Sequence, residues 1–116
     1  MKTITINGMP YVIKFNTRAL ANMNAKGVTL GTLGEKLEKQ DFSDFYIAFH
    51  EGVRTLRKDI DFDGALEIID GFVAMEENSI EDLLFDTMEE IAVAMGLGKR
   101  FKEGIQEQKE KQKAKA

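Results

Sequence analysis

The residues best suited to chemistry in this chain form an acidic run between positions 59 and 70. Asp59, Asp61 and Asp63 alternate with apolar residues and Gly64 follows, which matches the D-x-D-x-D-G opening of an EF-hand calcium loop. Carboxylates at this spacing can converge on one hard cation such as Ca²⁺. A small cation-binding regulatory protein is therefore one hypothesis for the function.

Other features of the same run argue against calcium. The twelfth loop position holds Asp70, whose short side chain reaches an ion less well than the usual bidentate glutamate. Ile60 and Phe62 stand where polar residues are usual, and no second loop is available to pair with this one. We interpret the run as an acidic loop between helices, with Asp63 as a helix N-cap, and predict no metal site and no cofactor.

The remaining polar residues do not form a catalytic pattern. His50 is the only histidine and cysteine is absent, which excludes a multi-histidine or zinc-thiolate site. The pairs Glu76/Glu77 and Glu89/Glu90 are adjacent in sequence, so they point to different parts of a helix surface and are interpreted as solvated charge. No glycine-rich phosphate loop is present. The sequence therefore predicts a protein that is not an enzyme.

The chain opens with a strong hairpin signal. Asn7-Gly8 separates two alternating apolar runs, and Asn-Gly accepts the positive φ values of a two-residue hairpin turn. A lone hairpin is marginal in water, so its apolar face must pack on other elements. A first helix is predicted over residues 18–26, capped by Thr17 or by Asn16 and ended by Gly27.

Three further helices are predicted, after a connector over residues 28–41 that holds a short strand or helix. The second helix starts at Asp41 or Ser43, and Gly52 inside it indicates close packing of a neighbouring helix. Its apolar residues recur three and four positions apart: Phe42, Phe45, Tyr46, Phe49, Val53 and Leu56. The third helix follows Asp63 and carries Leu66, Ile69, Phe72 and Val73 on its apolar face.

The fourth helix has the clearest boundaries. Ser79 and Asp82 form a capping-box pattern at its start, and Gly96 ends it. One face carries the apolar residues Ile80, Leu83, Leu84, Met88, Ile91 and Met95. The predicted fold is α+β and mostly α, with the N-terminal β-hairpin packed on about four helices and a basic C-terminal tail. Residues 1–96 form one domain and residues 97–116 a charged, flexible tail.

Charge is unevenly distributed between these two parts. Residues 1–98 hold 9 basic and 17 acidic side chains, a net charge of −8, whereas residues 99–116 have a net charge of +4. An acidic body repels phosphate and argues against nucleic acid as the main ligand. The basic tail is either a solvated, frayed terminus or a contact with nucleic acid or an acidic partner, so a nucleic-acid-associated regulatory protein stays an alternative.

The sequence predicts no membrane contact. No apolar run approaches the ~18 residues that indicate a transmembrane helix. Met1-Lys2-Thr3 leads directly into the hairpin without an apolar signal region, so no signal peptide is expected.

The start of the tail carries a candidate contact stripe. Leu97, Phe101 and Ile105 recur every four residues, so a helix continuing past Gly98 aligns them. This stripe either docks on a neighbouring subunit or another partner, or completes the core of its own subunit. Both interpretations stay open from the sequence.

The opening segment also resembles a known family. Residues 6–20 read Ile-Asn-Gly-x-x-Tyr-x-x-Lys-Phe-Asn-x-Arg-Ala-Leu, which is similar to the start of the tail assembly chaperones of long-tailed phages and prophages of Gram-positive bacteria. The similarity continues as a pattern of acidic amphipathic helices to about Met95.

The resemblance implies a small, α-rich, non-enzymatic protein that self-associates. It implies binding to the tape measure protein, which is kept soluble while tail tube subunits polymerise around it. The expected location is the host bacterial cytoplasm, with the protein absent from the finished virion. Members of the family often make a second, longer product by ribosomal frameshifting near the end of the reading frame.

Overall fold

A computed structural model describes residues 1–101 and 103–104 of the 116-residue chain. Two strands precede five helices: β1 (Lys2–Ile6), β2 (Met9–Ile13), α1 (Thr17–Ala25), α2 (Leu30–Glu38), α3 (Ser43–Arg54), α4 (Phe62–Ala74) and α5 (Ile80–Ala94). A further helical stretch begins at Gly98. The predicted α+β, mostly α fold with an N-terminal hairpin is confirmed.

The hairpin forms at the predicted turn. Asn7 and Gly8 both have positive φ, 51° and 81°, and β1 pairs antiparallel with β2 so that Ile6 lies opposite Met9. Ile4, Ile6 and Ile13 are buried, since directly opposed residues share one face of the ribbon. That face packs on α3 and α4.

The first two helices begin with polar caps. Asn16, and not Thr17, caps α1 by accepting a hydrogen bond from the Ala19 N–H at 2.8 Å. In the connector the structure has a nine-residue helix, α2, because Thr29 and Thr32 form a reciprocal capping box. Of the two alternatives predicted for this region, a short strand or a helix, the structure has the helix.

Helix α3 is central, since it packs against α1, α2, α4, α5 and β2. It begins at Ser43 with Phe42 at the cap position. The Asp41 carboxylate accepts from the Ser43 N–H, and this backbone hydrogen bond holds the pKa of Asp41 below its usual value. Leu56 lies beyond the end of the helix and is exposed, unlike most of the predicted stripe.

The prediction that a neighbouring helix packs closely at Gly52 is wrong. An ideal Cβ at Gly52 would lie 2.9 Å from the ring of Phe15 and 3.1 Å from Cγ2 of Ile13, so the close neighbour is the end of the hairpin and not a helix. The Lys14 N–H donates to the Gly52 carbonyl at 3.0 Å. This contact anchors β2 to α3.

The last two helices differ in how well the sequence predicts them. Asp61, and not Asp63, caps α4, because its carboxylate accepts from the Gly64 N–H at 2.7 Å. Val73, predicted on the apolar face of this helix, is exposed. The Ser79/Asp82 capping box of α5 is confirmed, and Gly96 follows the helix with a φ of 77°.

One hydrophobic core joins the hairpin to the helices. Its largest fully buried apolar side chains come from β2 and from four of the helices: Ile13, Met23, Leu33, Phe45, Phe49, Leu83, Leu84 and Ile91. Phe45 and Phe49 pack with their ring centroids 5.8 Å apart. α3 supplies both of these rings, which is why so many elements meet on it.

Candidate functional site

The acidic run does not form a calcium loop in the described residues. Asp59 forms a two-point ion pair with Arg57, with N–O distances of 2.9 and 2.8 Å, and this hydrogen bonding lowers the pKa of Asp59. Asp61 is used as the cap of α4, while Asp63 and Asp70 lie on that helix. Within residues 1–101 and 103–104, no three acidic or histidine side chains are grouped as metal ligands.

His50 links two parts of the core. It is buried, its Nε2 lies 3.1 Å from the carbonyl oxygen of Ile60, and its ring packs edge-on against Phe62. A carbonyl only accepts hydrogen bonds, so Nε2 carries the proton in this contact. The histidine therefore fastens α3 to the segment that precedes α4.

The acidic pairs behave differently from one another. Glu76 and Glu77 are exposed, as the sequence indicated. Glu90 is buried and forms an ion pair with the amino group of Met1, so its interpretation as solvated charge is wrong. Glu90 is buried because the start of the chain approaches α5 closely. Nζ of Lys2 also lies 3.5 Å from Oδ1 of Asp86 on the same helix.

Glu51 is the most unusual polar residue, and the sequence did not single it out. Its side chain is 1% exposed. Arg54 Nε lies 3.0 Å from Oε1, Asn22 donates to the same oxygen at 3.2 Å, and Lys26 Nζ lies 3.8 Å from Oε2. Oε2 has no hydrogen-bond partner among the described residues. Asn22 is on α1 and Lys26 directly follows that helix, so the buried carboxylate holds α1 against α3.

Glu51 forms part of the floor of an open polar groove of about 700 Å³ between α1 and the C-terminal end of α3. The groove is lined by Asn16, Arg18, Ala19, Asn22, Glu51, Arg54, Thr55 and Lys58. No sequence motif marks it, because its residues come from two segments about thirty positions apart.

A second groove, of about 400 Å³, lies between the hairpin turn and α4. Its charged lining includes Arg57 and Asp59, which neutralise each other. Gly71 lets the hairpin approach here, since an ideal Cβ at this position would lie 2.8 Å from Cγ2 of Ile6. The lining also contains the carboxylates of Asp61 and Glu67, so the charge that the ion pair leaves in this groove is acidic.

The predicted contact stripe separates into two environments. Phe101 is half-buried and packs against the core, and its N–H donates to the Leu97 carbonyl at 3.0 Å. Leu97 is 39% exposed, near the exposed Val93 and Met95 at the end of α5. Ile105 lies outside the described residues, as does the chain from there to Ala116.

We expect the replacement of Phe101 by alanine to affect stability more than the same replacement of Leu97. Phe101→Ala should lower the free energy of unfolding by about 1 kcal/mol, because it exposes part of a packed aromatic surface. Leu97→Ala should leave stability within about 0.5 kcal/mol, as for most exposed positions. Urea unfolding followed by circular dichroism measures both. Equal losses of unfolding free energy in the two variants would contradict the assignment of Phe101 to the core and of Leu97 to the surface.

Comparisons with known proteins leave the resemblance without independent support. No family model matches this chain, and no match was found among curated proteins or solved structures. In the described residues, the helices are too short or too polar to span a membrane.

Proposed function

We propose that this protein is a non-enzymatic tail assembly chaperone of a long-tailed phage or prophage. It binds the tape measure protein and tail tube subunits during tail morphogenesis, in the host bacterial cytoplasm, and is absent from the mature virion. The observation that carries the proposal is the segment from Ile6 to Leu20, whose sequence resembles the start of that family. In the structure the segment forms the hairpin turn, β2 and the beginning of α1.

Two features of the surface support a role in holding other chains. Val93 at the end of α5 and Met95 and Leu97 just after it are exposed, and exposed apolar side chains that cluster on a surface favour protein contacts. Methionine adapts to partners of varied shape because its side chain is flexible and polarisable. The net charge of −8 on residues 1–98 keeps a crowded assembly soluble.

The proposal predicts self-association through the end of α5. Multi-angle light scattering across a concentration series should show oligomers whose mass falls with Leu97→Asp, because a charge in an apolar contact is costly to desolvate. Leu56→Asp is the matched control, since Leu56 is also an exposed leucine but lies beyond α3. A strict monomer at high concentration, or equal effects of the two substitutions, would contradict this interface.

The partner is tested by co-expression. If a reading frame next to this gene encodes a very long coiled-coil protein, that protein is the expected tape measure protein. It should stay in the soluble fraction with this protein and precipitate without it. If solubility does not change, the chaperone proposal is wrong, whatever the oligomeric state.

A further inference from the structure

The two edges of the β-hairpin differ in how their main-chain groups are used. A two-residue loop places its flanking residues, Ile6 and Met9, in a hydrogen-bonded pair. The pairs then alternate along the ribbon, so the main-chain groups of Thr3 and Thr5 in β1 point away from β2. Pro10 lies opposite Thr5, and a residue without an N–H fits this non-hydrogen-bonded position. Thr3 and Thr5 therefore direct their N–H and C=O groups to the outer edge of β1.

The outer edge of β2 is closed by the chain itself. Pro10 has no N–H to offer at this edge, and the Lys14 N–H donates to the Gly52 carbonyl of α3 at 3.0 Å. Val12, which lies between them, is half-buried. A further strand at this edge would therefore find no free N–H on either side of Val12.

The outer edge of β1 has no such protection. In the part of the chain that the structure describes, no hydrogen bond outside the hairpin involves Thr3 or Thr5, and both residues are exposed. Proteins usually cover or charge a strand edge, because its free main-chain groups are a template for another strand. Lys2 is the only charged residue of β1, and it pairs with Asp86 of α5. The edge is therefore open to a further strand.

The sequence of β1 is complementary to a second copy of itself. Thr3-Ile4-Thr5 reads the same in both directions. When two copies of β1 run antiparallel with a twofold axis at Ile4, each Thr3 lies opposite Thr5 of the second copy, and Ile4 lies opposite Ile4. The threonines carry the outward main-chain groups, so both Thr3–Thr5 pairs form N–H···O=C hydrogen bonds in each direction. Threonine and isoleucine are also β-branched and favour strand pairing.

We propose that β1 pairs antiparallel with β1 of a second copy of this chain, so that two hairpins join into one four-stranded sheet. A two-stranded ribbon is marginal by itself, and added strands stabilise it. The threonine side chains of both copies lie together on the exposed face, where cross-strand threonine pairs hydrogen-bond. The inference rests on the strand edge and does not depend on the apolar side chains after α5 or on a role in tail assembly.

Cysteine cross-linking tests the pairing and its register, because the chain contains no cysteine of its own. In the double variant Thr3→Cys/Thr5→Cys, each thiol lies opposite a thiol of the second copy, at a Cα separation of about 5.5 Å that suits a disulfide. Each single variant places its thiol opposite a threonine. With oxidised glutathione, the double variant should form about tenfold more covalent dimer than either single variant on non-reducing gels.

Proline substitutions test the same edge without a cross-link. Thr5→Pro removes an outward N–H but no hydrogen bond within the hairpin, so it should raise the dimer dissociation constant at least about fivefold. Val12→Pro is the matched control, because it removes an outward N–H from the other edge of the same hairpin, and it should leave dimerisation unchanged. Sedimentation equilibrium compares both variants in a Leu97→Asp background, which excludes mass from a contact after α5.

The outcomes separate self-pairing of β1 from other contacts. Equal cross-linking of the double and single cysteine variants, equal effects of Thr5→Pro and Val12→Pro, or a strict monomer in the Leu97→Asp background would each overturn the proposal. Circular dichroism confirms that the variants are folded, and the cysteine variants decide the question if a proline variant is not. The co-expression test of the chaperone function is independent of all these outcomes.

Discussion

Replacing Glu51 by alanine is expected to lower the free energy of unfolding by about 2–3 kcal/mol, because it removes hydrogen bonds to a buried charge and leaves a cavity. Arg54 and Lys26 are about half exposed and can return to water, so the loss of their ion pairs contributes little. The larger part comes from Asn22 and from the packing of α1 on α3.

Urea unfolding of Glu51→Ala and of Glu38→Ala measures this effect. Glu38 is an exposed glutamate at the end of α2, and its replacement should change stability by less than about 0.5 kcal/mol. Glu51→Gln separates the contribution of side-chain shape from that of charge. Glutamine keeps the size of glutamate and an oxygen that accepts the hydrogen bond from Asn22, but it removes the negative charge. Equal stabilities for Glu51→Ala and Glu38→Ala would show that the buried carboxylate does not hold the two helices together.

Gly52→Ala is expected to destabilise the protein by about 2 kcal/mol, because the added methyl group overpacks a filled core. It would lie 2.9 Å from the Phe15 ring and 3.1 Å from Ile13, both of which are buried and cannot move into solvent. Alanine is preferred over glycine in a helix by about 1 kcal/mol, and this gain offsets only part of the cost.

Gly34→Ala is the matched control in α2. Its new Cβ would meet only Cε of Met88 at 3.9 Å, an ordinary contact with the end of a flexible side chain. We expect a gain of up to about 1 kcal/mol from helix propensity alone. Urea midpoints should therefore move in opposite directions for the two variants. If Gly52→Ala were more stable than the wild type, the hairpin would be able to move away from α3 without a loss of stability.

The features predicted correctly from the sequence are those controlled by neighbours in the chain. Asn7-Gly8 needs only its own positive φ values to make the hairpin turn. Ser79 and Asp82 cap α5 through hydrogen bonds that span three residues. Gly27 and Gly96 follow their helices with positive φ for the same local reason.

One kind of error arises where two local solutions compete. Asp61 and Asp63 are both able to cap a helix, and the choice of Asp61 goes with His50 bonding to the carbonyl of Ile60 just before it. Whether residues 28–41 held a strand or a helix also stayed open from the sequence. The Thr29/Thr32 capping box and the burial of Leu33 and Leu37 accompany the helical outcome.

The sequence by itself determined the hairpin, most of the helices and the acidic balance of the body, because turn, cap and periodicity signals act over a few residues. The tertiary structure alone decided which charges meet and which are buried. Asn22 and Glu51 are 29 positions apart and come together only when α1 packs on α3. The polar groove with Arg18 and Lys58 on its walls arises from the same packing, since no local pattern encodes the distance between two helices.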